Sequence, residues 1–285
     1  MQAIGLVQVI YEDVSSKFKK SMKIILRIVI FGLLTILTQI GGIVYLIAIL
    51  INRRIKLKMK IQKFGLFFGL YCISTFLIIP YLAPIFGREK IQNTEYIQAH
   101  SFFYKLANRN YVKPELNEAL QEIGIEFGEK HYGIKLSYLD ANFPFLDGFP
   151  LLPHLSHNDG KKIDVTLYYE NEKGILSNKK KSISGYGAYV VPKNEEVDQI
   201  SICKSRGNWQ YDFPKYLTLG KINKELQFSI SGTRDFANII VSNSGVGKLF
   251  IEPHLKSRLN LTNPKVRFHG CQAVRHDDHI HFQLK

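Results

Sequence analysis

The chain has 285 residues, 46 % of them hydrophobic, which is ample for both membrane segments and the core of one further domain. Its net charge of +14 is unevenly placed: residues 1–86 hold eleven Lys and Arg against Glu12 and Asp13, whereas residues 87–285 hold 27 basic and 22 acidic groups. The excess therefore sits beside apolar runs as a topology signal and argues against a nucleic-acid partner, while Cys72, Cys203 and Cys271 form no C-x-x-C pair that would support a thiolate metal site.

In chain order, residues 1–27 read as a membrane-proximal segment with a basic end. Residues 28–51 carry no charge, and 24 residues at 1.5 Å each make about 36 Å of helix, enough to span a bilayer. Residues 64–86 are a second uncharged run, so 28–86 is expected to form a two-helix transmembrane hairpin. Neither run has the small-residue cleavage site of a signal peptide. The loop 52–63 between them holds six Lys and Arg and no acid, which places it in the cytoplasm and sends both termini outside. Basic residues from Lys17 to Arg27, with Arg88 and Lys90, pull the other way.

Residues 87–95 read as a polar linker. Helices are expected over 96–108 and 114–132, the second opening on Pro114 and stopping at Gly133. A strand follows at 134–139, then an aromatic and proline-rich loop at 143–153. Further strands are expected at 163–169 and 187–191, separated by a solvated turn around Lys179 to Lys181. Residues 194–227 are weakly patterned. Residues 234–242 read as helix, 248–251 as extended and 252–259 as helix. Gly245-Val246-Gly247-Lys248 lacks the first glycine and the Ser or Thr of a phosphate loop, so it is a turn into a strand. The fold class is α+β: a small antiparallel sheet with flanking helices, carrying the site described next, over residues 97–285.

The chemistry concentrates in two stretches. His276, His279 and His281 fall within six positions, and from His279 onward polar and apolar residues alternate as on a half-buried strand. Side chains two apart share a strand face, so His279 and His281 point one way and Ile280 and Phe282 the other. Upstream, His157, Gly160 and Asp164 precede an apolar run. Two His and one Asp make a zinc set that leaves a fourth position for water.

The spacings S-H-x-x-G-x-x-x-D and H-D-D-H-x-H resemble those of the penicillin-insensitive murein endopeptidases, within the wider group of lysostaphin-type enzymes, D-alanyl-D-alanine peptidases and the hedgehog signalling domain. The resemblance covers roughly residues 97–285. It implies one Zn²⁺ held by His157, Asp164 and His281, with His279 and His276 as two catalytic histidines that are not ligands. His279 is the expected general base, and His276 is expected to stabilise the oxyanion or protonate the departing amine. Asp277 and Asp278 are both candidates for orienting a histidine. The implied reaction is peptide hydrolysis in peptidoglycan at D-alanyl–diaminopimelate cross-links, by a protein of the cytoplasmic membrane whose domain lies in the periplasm or outside the cell. A D,D-carboxypeptidase or dipeptidase acting on stem-peptide ends is an alternative, as is a zinc-binding module that recognises cell wall without catalysis. Lys161 and Lys162, and the membrane segments, depart from the family pattern.

Other candidates take plainer readings. His154 and His269 are neighbours of the site; His100, His131 and His254 are surface or half-buried helix residues. Tyr186 and Trp209 are packing aromatics, and Asp159 shapes a turn. Cys72 packs within an apolar span. Cys203 and Cys271 are either a disulfide or two free thiols.

Overall fold

The structure, a computed structural model, describes the backbone of residues 2–285 and side chains from residue 15 onward. It divides into two compact units, Met1–Phe76 and Leu77–Lys285.

In the first unit, α1 (Gln2–Thr38) is one continuous helix, with no separate helix at its start. It ends at Gln39, in the left-handed region at φ 66°, and α2 (Gly41–Ile55) turns back along it. The uncharged run 28–51 is therefore two helices rather than one span. The Thr35 and Thr38 hydroxyls donate to the carbonyls of Phe31 and Leu34, both at 2.8 Å, a local alternative to the helical ladder. Gly41 and Gly42 lie so close to α1 that a Cβ would meet Thr38, Thr35 and Phe31, which is why glycines stand at this corner. α3 (Lys60–Ile73) turns back again, with the Tyr45 and Phe67 rings 6.1 Å apart.

Among the described residues, two helical stretches are long and apolar enough to cross a membrane, Ser15–Thr38 and Lys60–Phe86. Gly42 faces Phe31 and Thr35, so moving about eleven residues on along α2 and back along α1 brings Arg53 and Arg54 level with Lys20 and Lys23. Basic groups that a two-span hairpin would put on opposite sides thus share one end of this unit.

The second unit begins with α4 (Ile79–Leu82) and a 3-10 turn at Ala83–Phe86. Next come β1 (Glu89–Lys90), β2 (Ile97–Ala99), α5 (Phe102–Leu106), β3 (Tyr111–Val112) and α6 (Pro114–Lys130). Residues 87–95 are thus not a linker: Arg88 and Ile91 are buried, and β1 pairs antiparallel with β3. Nor is 96–108 one helix, because fully buried Ile97 joins the sheet. The α6 helix matches its expectation, with Pro114 at the first helical position.

Then follow β4 (Leu136–Tyr138), β5 (Lys162–Thr166), β6 (Tyr169–Glu170), β7 (Leu176–Ser177), α7 (Gln199–Ser205) and β8 (Gln227–Phe228). The chain closes with α8 (Ile230–Ser242), β9 (Val246–Phe250), α9 (Pro253–Arg258), β10 (Val266–Arg267) and β11 (His279–Leu284). The α8 helix starts earlier than expected because the Ser229 side chain caps it, accepting from Gly232 N. The main sheet has the order β10-β9-β11-β5-β4-β2. It is antiparallel at its centre and parallel only in its two outer pairs, β9–β10 and β2–β4. Residues 187–191 form no strand; Val190 N–H donates to Asp277 O at 2.7 Å.

Ile163, Val165, Ile280 and Phe282 turn to one face of β5 and β11 and join a core with Phe127 of α6 and Phe236 of α8. Each such fully buried side chain contributes about 1.5–3 kcal/mol. The opposite face of the same two strands is left for the polar residues. The weakly patterned segment holds α7 and two 3-10 turns, Trp209–Tyr211 and Phe213–Tyr216. A disulfide between Cys203 and Cys271 ties it to the chain ahead of β11, and Cys72 is free.

Candidate metal centre

Each donor reaches the centre by its own local rule. Asp164 and His281 are paired across the β5–β11 ladder, so strand period points both away from the apolar core. His157 comes from the loop before β5. Its Nδ1–H donates to Ala141 O at 2.8 Å, an atom that only accepts, so in the neutral ring Nε2 presents a lone pair. Gly160, at φ 76°, turns this loop back, and a Cβ there would strike the Arg88 guanidinium.

The three donor atoms converge. His157 Nε2 lies 3.0 Å from His281 Nδ1 and 3.2 Å from Asp164 Oδ1, and the last two are 2.9 Å apart. Ligands about 2.0–2.1 Å from one tetrahedral ion would stand about 3.3 Å from each other. A slight expansion therefore lets this buried trio hold a metal ion. The donor chemistry calls for positive charge, because two imidazole nitrogens and a carboxylate oxygen meet where water is excluded. Burial alone would raise the Asp164 pKa, but His157, His279 and His154 outweigh it and hold the carboxyl well below its usual range. Burial likewise opposes a charged His157, and Asp164 overcomes it to raise that pKa. Burial pushes His281 down to about 3, leaving a neutral imidazole suited to be a ligand.

His154, Asp164 and His279 form a second group able to hold an ion, on the other carboxylate oxygen. Here His154 Nδ1 is 3.2 Å and His279 Nε2 3.7 Å from Asp164 Oδ2. The His279 Nε2 is buried and has no hydrogen-bond partner, while its Nδ1 lies 2.5 Å from Asp278 Oδ1. Asp278 is therefore the aspartate that orients this imidazole. Asp277 instead accepts from Arg275 at 2.7 and 2.6 Å, and Arg275 also reaches Asp212 at 2.6 Å. Burial works against a charged His279, yet Asp164 and Asp278 carry its pKa up to about 9. The His276 ring lies 4.9 Å from that of His279, and burial with the neighbouring histidines holds its pKa well below normal. Glu252 clamps the backbone here: His276 N–H donates to Oε1 at 2.9 Å, and Glu252 N–H to His276 O at 3.2 Å.

His157, Asp164, His276, His279 and His281 thus lie in one buried cluster. Sequence reasoning passes over others that belong to it. The Tyr186 hydroxyl donates to Asp164 Oδ2 at 2.8 Å and accepts from Asp140 N at 3.2 Å, so it is more than a packing aromatic. Asp140 lies 3.1 Å from His154 Nδ1 and takes both bonds of Arg109 Nη1, at 2.9 and 3.1 Å. The three-residue spacing from His154 to His157 is the one available hint; Arg109 and Asp140 carry none.

The remaining expectations divide. His269 faces the site, its ring 5.3 Å from that of His276. His100 and His254 are interior rather than surface residues, each donating from Nε2 to a carbonyl, Ser182 O at 3.0 Å and Val190 O at 2.7 Å. His131 pairs with Asp235 at 2.9 Å. Asp159 does shape a turn, accepting Lys161 N–H at 2.9 Å and pairing with Lys162. Lys181 is not a solvated turn residue, since its Nζ donates to the carbonyls of Asn223, Lys224 and Leu226.

Two cavities of about 500 and 700 Å³ open on the cluster. They share a partition of Pro153, His154, Pro214, Leu217 and Val274; one reaches His279 and Asp278, the other His276 and His281. Neither protein-family models nor curated proteins match this chain.

Proposed function

We propose that this chain is a membrane-anchored zinc metallopeptidase that hydrolyses peptide bonds in peptidoglycan, with the D-alanyl–diaminopimelate cross-link as its target. One observation carries the reading: three lone-pair donors from His157, Asp164 and His281 meet within 2.9–3.2 Å beside a buried, unpartnered His279 Nε2. Those three side chains would hold Zn²⁺, which when bound supplies Lewis acidity, polarising a carbonyl and lowering the pKa of water to about 7.

The chain's own groups supply the rest. His279 takes a proton at Nε2, and Asp278 on Nδ1 fixes the tautomer and stabilises the resulting imidazolium. Against burial, Asp278 and above all the Asp164 carboxylate raise the His279 pKa. With that carboxylate engaged as a ligand, His279 returns toward its ordinary range and can act as a base. His276, kept neutral by burial, has one N–H to give to an oxyanion or a departing amine. Tyr186 holds Asp164 Oδ2, which leaves Oδ1 directed at His157 and His281.

Charge and cysteine chemistry support an outward-facing second unit. The shared basic end of α1 and of the α2–α3 connection belongs in the cytoplasm, so Lys60–Phe86 leads the second unit to the outer side. The Cys203–Cys271 disulfide suits that oxidising side.

The test is digestion of cross-linked and uncross-linked muropeptides by the zinc-loaded full chain in detergent. Conversion of dimers to monomers is the expected result. Release of terminal D-alanine alone would replace the reading with a carboxypeptidase, and bound zinc without turnover would replace it with a cell-wall recognition module.

A further inference from the structure

The second unit includes the end of an apolar stretch long enough to cross a membrane. Its first residues, Leu77–Phe86, are the end of the apolar stretch Lys60–Phe86. Ala83 is fully buried, and Arg88 N–H donates to Ala83 O at 3.1 Å. Gly87 alone separates this helical end from buried Arg88. Ile79 is buried too, but the other large side chains of the helical end are exposed, with Tyr81 at 82 % and Ile85 at 76 %.

A single loop, 143–160, joins that helical end to the metal centre. The Phe145 ring lies 4.8 Å from the Phe86 ring, and Asp147 pairs with Arg88. Further on, the same loop carries His154 and His157. Its exposed apolar side chains, Leu146, Leu152 and Leu155, run from the helical end to the lip of the 700 Å³ cavity. Phe213 and Leu217 line the same cavity, and Phe213 meets Trp209 edge-on at 5.5 Å. Trp209 is the chain's only tryptophan and is 70 % exposed. Tyr216 and Leu219 on this segment are exposed as well.

Charge on the segment points the same way. Residues 204–221 hold Lys204, Arg206, Lys215 and Lys221 against a single acid, Asp212, so basic groups are in excess even though Lys204, Lys215 and Arg275 all face that acid. Exposed Trp and Tyr among aliphatic side chains and lysines is the composition that lies at a bilayer interface. Exposed apolar side chains gathered about a cavity mouth in this way mark a contact surface.

We propose that the rim of the site, from Leu146 to Leu155 together with segment 209–219, docks on the anionic phospholipid surface of the membrane that the chain crosses. The occupant is lipid because the rim continues an apolar helical end that, on the membrane-anchored reading, is already in the bilayer; the proposal rests on that reading. Docking sets the mouth of the cleft at headgroup level, so substrates held near the membrane surface are the ones that reach it.

The full chain is reconstituted into phosphatidylcholine and phosphatidylglycerol vesicles with ordinary or brominated acyl chains, and Trp209 emission is compared. Flotation of the vesicles at alkaline pH reports the anchor separately. Docking predicts a marked loss of emission with brominated lipid, and a smaller loss for the double variant Tyr216→Ser, Leu219→Ser. Equal emission in both vesicle types, from a chain that floats, overturns the docking and leaves the anchor standing; the rim would then be a lid over the cleft or a contact with a second copy. A chain that does not float overturns both.

Discussion

The candidate metal centre has two walls, and they are built by different means. On one, β5 and β11 supply Asp164, His279 and His281 from a continuous ladder. On the other, His154, His157 and His276 stand on irregular chain, each held through separate polar contacts to Asp140, Ala141 O and Glu252. A ladder sets side-chain direction by its period alone. Irregular chain takes its direction from partners far away in sequence, so losing a partner there moves a residue whose own chemistry is intact.

The sharpest test of the ladder wall separates holding an ion from using it. His281→Ala is expected to contain no stoichiometric metal by elemental analysis and to have no turnover. His279→Ala is expected to keep its metal and lose about 10²–10⁴-fold in kcat. Wild-type rates in both variants would end the site assignment. On the irregular wall, Arg109→Met removes no donor but strands the Asp140 carboxylate in the interior. A loss of about 3–5 kcal/mol in urea denaturation is expected, with activity falling although all three metal donors remain. Retention of full activity would show that His154 and its support stand apart from the chemistry.

Two smaller effects refine the contrast. Cys203 and Cys271 are 68 residues apart, and replacing both with serine should cost about 2–4 kcal/mol by the same denaturation. Five residues beyond Cys271, His276 should lose its placement, so turnover is expected to fall further than metal content. Glu252 is the subtlest case. Burial lifts its carboxyl to about 7 although the Tyr211 and His276 bonds favour ionisation. The folded chain then binds this proton more tightly than the unfolded one, where the group titrates near 4.5. Its stabilisation is complete below that value and disappears as the pH rises through about 7. Glu252→Gln is expected to flatten the fall of Tm across this window, and an unchanged slope would assign the pH dependence to other groups.

The same contrast explains what can be read from the amino-acid order. Strand β11 and the position of Asp164 are legible because alternation and a short motif specify them locally. Helices α6 and α8 are legible through amphipathic spacing and, for α6, Pro114. The corner at Gln39 is not, because an uncharged run shows no polar face, and the break depends on Thr35, Thr38 and two glycines. Short β2 hides for a related reason: three residues display no period, and Ile97 joins the sheet only because β4 is there to receive it. Arg109, Asp140 and Tyr186 are invisible for want of any motif, since their roles exist only once the sheet brings 140, 164 and 186 together.

Asp164 and His281 bond across 117 residues of chain, and β11 slides in between two earlier strands, β5 and β9. Closing so long a loop carries an entropic penalty before the first ladder bond forms, so this insertion is expected late in folding. Until it happens, His157 and Asp164 offer an ion two ligands in place of three. An ion held by all three donors would therefore report the arrival of the last strand, and a chelating dye competing for it would time that event.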